Sequence, residues 1–146
     1  MIRPILFFDI GNTLGVPQID GDTIKSIKVF PFVLQILEKL QPQCRMGILS
    51  NTGNETLATM QNLLMKAGLA QFFEAALQLF SSVEGIDKTK IEFFRLAVER
   101  SGASASRCVY VSEDETERTM ARNAGMQVSF HPLHVFHVIH SIGVPE

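Results

Sequence analysis

The sequence contains little of what several classes of protein require. Its two cysteines, Cys44 and Cys108, form no metal-ligand spacing, so we expect two reduced structural thiols. The formal net charge of -2 gives no electrostatic reason to expect nucleic acid or an acidic membrane surface as a partner. No apolar run approaches the roughly 18–20 residues of a membrane span, and the short N-terminal run leads into an acid, unlike a signal peptide. We therefore expect a cytoplasmic protein with no membrane partner.

Apolar runs of strand length alternate with helical patterns along the chain, whose 146 residues we interpret as one domain, 1–146. We predict strands at 4–9, 45–50, Ala75–Phe80, Cys108–Val111 and Val128–Phe130. Helices are predicted at about 31–40, from the second strand through about Lys66, at 90–100 and at 115–124. A hairpin with its turn at Asp20-Gly21 is predicted from Val16–Ile19 and Thr23–Val29. This order predicts an α/β fold, a three-layer Rossmann-like parallel sheet of about five strands with helices on both faces.

Asp9 stands out because it directly follows the apolar run Ile5–Phe8. Burying its charge there would cost several kcal/mol unless cations or hydrogen bonds stabilise it. One interpretation is a reactive or metal-binding carboxylate at the carboxyl edge of the sheet, where open α/β folds bind ligands. The other is a side chain that caps the next turn.

Polar residues also follow the neighbouring predicted strands. Ser50-Asn51 comes after the second strand, Ser112-Glu113-Asp114 after the fourth, and Lys88 just before the third long helix. Because the carboxyl ends of parallel strands open on one edge, we expect these side chains to meet Asp9 at one rim. A nucleophile, a hydrogen-bond donor, a counter-charge and hard oxygen ligands are what a metal-bound phosphoryl group requires.

In its motifs the chain resembles the haloacid dehalogenase-like (HAD) superfamily. The resemblance covers most of the chain, in the order typical of that family. It rests on four segments: Phe7–Leu14, Ile48–Asn51, Gly85–Lys88 with Phe94 beyond it, and Tyr110–Met126, which ends in Ala-Gly-Met. In the third segment Thr89 stands where the family usually has proline.

The resemblance implies a Mg²⁺-dependent phosphatase that works through an aspartyl-phosphate. Asp9 would be the nucleophile, and Lys88 would balance the charge of Asp9 and the phosphate. The implied substrate-binding residues are Gly11, Asn12, Ser50 and Asn51. The implied metal ligands are Asp9, the carbonyl of Gly11, Glu113, Asp114 and Glu117. Such roles agree with phosphoryl transfer as a reaction of positioning and charge neutralisation.

Two positions depart from the family pattern. Gly11 occupies the place of the aspartate that serves phosphatases as general acid and base. Losing that group typically lowers the rate ~10²–10⁴-fold. Some phosphatase-like branches are similar in having Asp-x-Gly-Asn. Glu113 stands where an aspartate usually holds the metal, so either the loop brings Asp114 inward or metal affinity falls, because Mg²⁺ demands strict geometry. Alternatively, Glu113, Asp114, Glu115 and Glu117 form the solvated N-terminus of a helix, which the helix dipole favours.

The sequence leaves no room for a cap domain, since residues 15–47 and 52–84 are too short to hold one. We expect an uncapped member with a short flap at about 15–28. An open rim cannot by itself exclude water from a small substrate. Uncapped relatives tend to act on macromolecules or to use a partner subunit as a lid, so a macromolecular phosphorylated substrate and a homo-oligomer stay open. A dehalogenase would tolerate Gly11, but those relatives enclose their substrate with a cap, which disfavours this reading.

Two functions therefore remain. The first is a HAD-like phosphatase of unknown substrate. The second is a catalytically weakened member that acts as a binding or regulatory module, which Gly11, Thr89 and Glu113 favour.

Four histidines recur at every third position near the C-terminus: His131, His134, His137 and His140. They could form a zinc site, but a helix packed on the sheet with its histidines at the polar boundary is the simpler interpretation. Most phenylalanines fit core positions, and only Phe72-Phe73 is kept as a candidate interface.

Overall fold

Seven strands and six α-helices lie along residues 3–142, the part of the chain that this computed structural model describes. Residues 1–2 and 143–146 of the predicted domain lie outside it. The strands are β1 (Ile5–Phe8), β2 (Gly15–Asp20), β3 (Thr23–Val29), β4 (Arg45–Ser50), β5 (Gln78–Phe80), β6 (Cys108–Val111) and β7 (Gln127–Ser129). The helices are α1 (Val33–Leu40), α2 (Leu57–Lys66), α3 (Ser81–Glu84), α4 (Ile91–Ser101), α5 (Glu115–Asn123) and α6 (Val135–Ile142).

The main sheet has five parallel strands in the order β5-β4-β1-β6-β7. Strand β1 is central, with Ile5 paired to Arg45 of β4 on one side and to Cys108 of β6 on the other. The predicted α/β parallel sheet is thereby confirmed. The topology sets the carboxyl ends of β4, β1 and β6 side by side.

Side chains of β1 point alternately to the two faces of the sheet, as the pleat of a strand requires. Leu6 and Phe8 join a core cluster with the buried residues of α1, α2 and α6. Ile5 and Phe7 join a second cluster with those of α4 and α5. Both strand faces are therefore covered by helices, which makes three layers and explains why the strand reads as a continuous apolar run.

Strands β2 and β3 form a separate antiparallel hairpin, with Gly15 paired to Val29 at its base and Asp20 to Thr23 at its tip. The hairpin was predicted, but its turn lies at 21–22 instead of Asp20-Gly21. Gly21 has φ of +62°, a left-handed conformation that glycine adopts without steric penalty, so the turn forms around it.

The third predicted strand is shorter than the sequence indicated. Pairing begins only at Gln78, and Ala75–Leu77 forms a single 3-10 turn instead. The two alanines of that turn are exposed and have weak strand propensity. Leu77 passes close to β4, where a Cβ on Gly47 would lie 2.4 Å from its carbonyl oxygen, so a glycine is needed there. Helix α3 was not predicted.

The C-terminal helix α6 packs on the sheet through Val135, Val138 and Ile139, while His137 and His140 are exposed. Cys44 and Cys108 are free and buried. No helix within residues 3–142 is long and apolar enough to span a bilayer.

Candidate active site

Asp9 follows the central strand directly and sits at the middle of the rim. Its side chain is 13% exposed, and its Oδ1 accepts a 2.8 Å hydrogen bond from the backbone N–H of Ile10. The loop beyond it is tight, since the N–H of Leu14 donates to the carbonyl of Ile10 and Asn12 has φ of +58°. Asparagine tolerates this left-handed conformation better than most residues do. The loop thereby holds the carboxylate in a fixed position above the sheet.

Lys88 places its ammonium between two carboxylates. Nζ lies 2.7 Å from Oδ1 of Asp9 and 3.1 Å from Oε1 of Glu117, and the lysine side chain is 3% exposed. Its backbone N–H donates to Oδ1 of Asn51 at 3.0 Å, which ties the lysine loop to the end of β4. A cation this deeply buried needs compensating charge, and the two carboxylates supply it.

Two further residues complete this network. The hydroxyl of Tyr110 donates to Oε1 of Glu117 at 2.5 Å, and the Tyr110 ring lies 5.5 Å below the Lys88 ammonium. Ser112 Oγ lies 3.4 Å from Oδ2 of Asp9 and 3.3 Å from Oε1 of Glu117. The sequence placed Ser112 at the rim without a role and gave Tyr110 none. The sequence offered two signals: the apolar strand Cys108–Val111 contains the one tyrosine of the chain, and Ser112 follows that strand directly.

Burial dominates the electrostatics of this network. It raises the pKa of Asp9 above its ordinary value, an effect that the Lys88 charge and hydrogen bond oppose and the Glu117 charge reinforces. Burial also raises the pKa of Tyr110 far above its ordinary value, and the charges of Asp9 and Glu117 add to the shift. Tyr110 therefore stays a neutral hydrogen-bond donor to Glu117.

The structure does not bring Glu113 and Asp114 into the same pocket. Glu113 is exposed, and its backbone N–H donates to Thr13 Oγ1 at 3.3 Å. Asp114 is also exposed, and its side chain caps α5 by accepting from the N–H of Glu117 at 2.9 Å. The physical reason is position along the chain: Ser112 is the residue that follows β6 directly, so it faces Asp9 and the next two residues lie further out.

Asp9 lies in a pocket of about 160 Å³ with one polar wall. That wall consists of Asp9, Ser50, Asn51, Thr52, Lys88 and Glu117. Among residues 3–142, the hydroxyl of Ser50 has only a 3.5 Å contact with the carbonyl of Asn51, so it is available to a ligand. Gly11 also lines the pocket, whereas Asn12 is exposed. The structure thus brings together Asp9, Gly11, Ser50, Asn51, Lys88 and Glu117 of the residues that the sequence singled out.

Comparison with known families agrees with this arrangement. The family model for the haloacid dehalogenase-like hydrolases matches residues 9–125 of the 146. The chain belongs to this family. The matched region begins at Asp9 and includes Lys88 and Glu117, so all three charged side chains of the network lie within it. No curated protein matches the sequence significantly.

Solved structures share the HAD-like fold. An uncharacterized protein from Listeria monocytogenes serotype 4b has a TM-score of 0.78 at 16% identity, covering 95% of this chain and 98% of its own. A putative HAD-hydrolase from Bacillus subtilis bound to magnesium has a TM-score of 0.64 at 18% identity, over 77% of this chain and 56% of its own. A dehalogenase with an intermediate complex has a TM-score of 0.62 at 23% identity, covering 71% of this chain and 44% of its own. At these sequence identities the similarity shows a shared fold and nothing more specific.

HAD-like hydrolases generally use Mg²⁺, and the donors present here meet only the minimum that this ion needs. Residues 3–142 contain no group of three or more His, Cys, Asp or Glu side chains able to hold a metal ion. In phosphate-processing sites, however, Mg²⁺ is commonly held by one or two carboxylates, with water and substrate oxygens completing its shell. Asp9 and Glu117 can supply those carboxylates. Within the described part of the chain, Oδ2 of Asp9 has only the long contact to Ser112.

Proposed function

We propose that this HAD-like hydrolase is a Mg²⁺-dependent phosphatase in which Asp9 is the nucleophile. The observation that carries the proposal is the Asp9 carboxylate at the carboxyl end of the central strand, 2.7 Å from the buried ammonium of Lys88. A buried carboxylate with a fixed counter-charge and an open pocket beside it is what attack on phosphorus requires.

The charge of the network supports a requirement for a divalent cation. Asp9 and Glu117 contribute two negative charges and Lys88 one positive charge, so the pocket carries a net negative charge when all three are ionised. A phosphate monoester, itself an anion, would be repelled by such a pocket. Bound Mg²⁺, held by Asp9 and Glu117, would reverse this sign and polarise a phosphoryl oxygen.

The residues of the chain divide the reaction between them. An oxygen of Asp9 attacks phosphorus, the bond from phosphorus to the ester oxygen breaks, and an aspartyl-phosphate forms. The hydroxyl of Ser50 donates to a phosphoryl oxygen, and Lys88 stays near the attacking carboxylate as its charge is consumed. Because Gly11 carries no proton, the departing oxygen takes its proton from water. Water then attacks phosphorus, which releases phosphate and restores the Asp9 carboxylate.

The second candidate is a HAD-like module that binds a phosphorylated ligand without turning it over. Gly11 provides no general acid, and Lys88 is already shared by two carboxylates. The exposed side chain of Glu113 adds nothing to the pocket. These observations favour a site that still binds a phosphorylated ligand but hydrolyses it slowly.

Turnover of p-nitrophenyl phosphate with Mg²⁺ separates the two candidates. Asp9→Asn should lower the rate at least about 10³-fold, because the amide is no nucleophile. Asp22→Asn, an exposed carboxylate at the tip of the hairpin, is the matched control and should leave the rate unchanged. Equal trace rates in the wild type and in Asp9→Asn would contradict the phosphatase. So would turnover of a 2-chloro acid without turnover of the phosphate ester.

Beryllium fluoride with Mg²⁺ tests the binding site apart from the chemistry. This phosphoryl mimic should raise the melting temperature of the wild type, since a ligand of the folded state stabilises it. The shift should vanish in Asp9→Asn. A shift in the wild type without turnover would favour the binding module, and no shift would count against both candidates.

A further inference from the structure

The pocket beside Asp9 has a second wall that contains no charge. It consists of Ile10, Pro17, Ile24, Ile27 and Met60. These residues line the same pocket as Asp9 and Lys88. A group that leaves the phosphorus on this side would therefore meet hydrocarbon.

The hairpin of β2 and β3 provides most of this wall, in a defined geometry. Pro17 and Ile27 are direct cross-strand partners, so both side chains lie on the same face. Ile27 is 7% exposed and Met60, on α2, is 1% exposed. Both belong to the core cluster beneath the hairpin, and Ile24 packs against that cluster. The wall is therefore an extension of the core and not a chance contact of a surface loop.

Charge and size limit what this wall can accept. Lys88 is the only cation that lines the pocket within residues 3–142, and Asp9 and Glu117 already compensate it. A sugar or polyol group would lose hydrogen bonds to water against these apolar side chains without replacing them. The whole pocket, which must also hold the phosphoryl group, has a volume of about 160 Å³, so only a small group can accompany the phosphate.

We propose that the apolar wall is a leaving-group subsite that selects esters whose phosphate is attached to a small apolar group, a short alkyl chain or one aromatic ring. Ile24 is the specificity-determining residue best placed for a test, because it lines the pocket while being only partly buried. The proposal rests on the phosphate site of the proposed function and adds the nature of the group bound to that phosphate.

The test measures the binding of two phosphonates, which cannot be hydrolysed, by calorimetry with Mg²⁺. Benzylphosphonate carries the apolar group, and methylphosphonate lacks all but one carbon of it. The wild type should bind benzylphosphonate at least about tenfold more tightly, since even one methylene in an apolar pocket changes affinity about 10- to 200-fold. Ile24→Ser should remove most of this preference and leave the affinity for methylphosphonate unchanged.

Val16→Ser is the matched control. Val16 belongs to the same hairpin and is 38% exposed, but it precedes Pro17 and so points to the opposite face. This variant should keep the preference for benzylphosphonate. Ile24→Val, which keeps an apolar side chain at the pocket, should keep it as well.

Each outcome has a distinct meaning. Equal affinity of the wild type for the two phosphonates, or an equal loss in Ile24→Ser and Val16→Ser, would overturn the subsite. A clear preference without turnover of any phosphate ester would support the subsite and contradict the phosphatase. Failure of both phosphonates to bind, in a protein that hydrolyses p-nitrophenyl phosphate, would overturn the subsite and leave the phosphatase standing.

Discussion

The ammonium of Lys88 and the carboxylate of Asp9 lie 2.7 Å apart, although 79 positions separate the two residues in the sequence. The same ammonium lies 3.1 Å from Glu117, which in turn accepts a hydrogen bond from Tyr110. Lys88 thus joins the end of β1 to α5 through one buried charge. The contact is important to both stability and chemistry, because removing the cation would leave two carboxylates uncompensated at the site of reaction.

Lys88→Met should destabilise the protein strongly at neutral pH. Methionine has a similar length but no charge, so Asp9 and Glu117 would lose their shared counter-charge. We expect a loss of about 3–5 kcal/mol in the free energy of unfolding, the range found when one partner of a buried ion pair is removed. Urea denaturation measures it. The loss should shrink on acidification, since protonated carboxyls need no counter-charge.

Lys90→Met is the control for this prediction. Lys90 is two positions away, is exposed and makes no salt bridge with a described residue. Its replacement should change the free energy of unfolding by no more than about 0.5 kcal/mol. Similar losses in both variants would show that the buried pairs of Lys88 contribute little.

The raised pKa of Asp9 predicts how its contribution to stability depends on pH. The folded state favours the protonated carboxyl, so the contribution is fully present below the ordinary value of 3.8 and is lost as pH rises through the raised pKa. Asp9→Asn keeps a neutral side chain at every pH. The stability of this variant relative to the wild type should therefore be higher at neutral pH than near pH 3.8, as thermal unfolding at both values can measure.

Both unfolding measurements are made without Mg²⁺, because a bound cation would favour the ionised carboxylate. A stability difference that is constant or reversed with pH would contradict the raised pKa of Asp9.

Gly11→Asp should increase the rate of phosphate ester hydrolysis. The resemblance to the HAD superfamily places a general acid and base at this position, a group typically worth ~10²–10⁴-fold in rate. The backbone can accept the change, because a Cβ at Gly11 would have its nearest neighbour, a carbon of Pro17, at 4.0 Å. We expect a higher kcat, measured with p-nitrophenyl phosphate and Mg²⁺.

Gly11→Asn is the matched control, since it adds the same volume without a proton to transfer. It should leave kcat near the wild-type value. An equal increase in both variants would attribute the gain to packing. No increase with aspartate, in a variant that unfolds at the wild-type temperature, would mean that proton transfer does not limit the reaction.

Local sequence patterns predicted most of the fold because the deciding interactions are local or periodic. The apolar run Ile5–Phe8 predicted a strand buried on both faces, and the helical pattern at 90–100 predicted α4. The strand expected from Ala75 was too long because the close approach of Leu77 to Gly47 is a tertiary feature. Helix α3 has only four residues, too few to show a period.

The candidate site could be predicted less completely. Asp9, Ser50 and Lys88 follow or precede strong elements, so the topology of a parallel sheet was enough to bring them to one rim. Glu113 was expected beside Asp9, but the side chains of adjacent residues point in different directions. In the structure Ser112 is the residue that faces Asp9. The role of Tyr110 depended on a 2.5 Å contact to a side chain on α5, which no local pattern shows.

Short segments of the sequence were enough to predict most strands and helices, the parallel sheet and the family, because periodicity and motif spacing are local properties. The tertiary structure decided which acids face Asp9, where the lysine charge is compensated and that the hairpin adds an apolar wall to the pocket. Those features depend on distances between side chains remote in the chain, and burial and charge act through such distances.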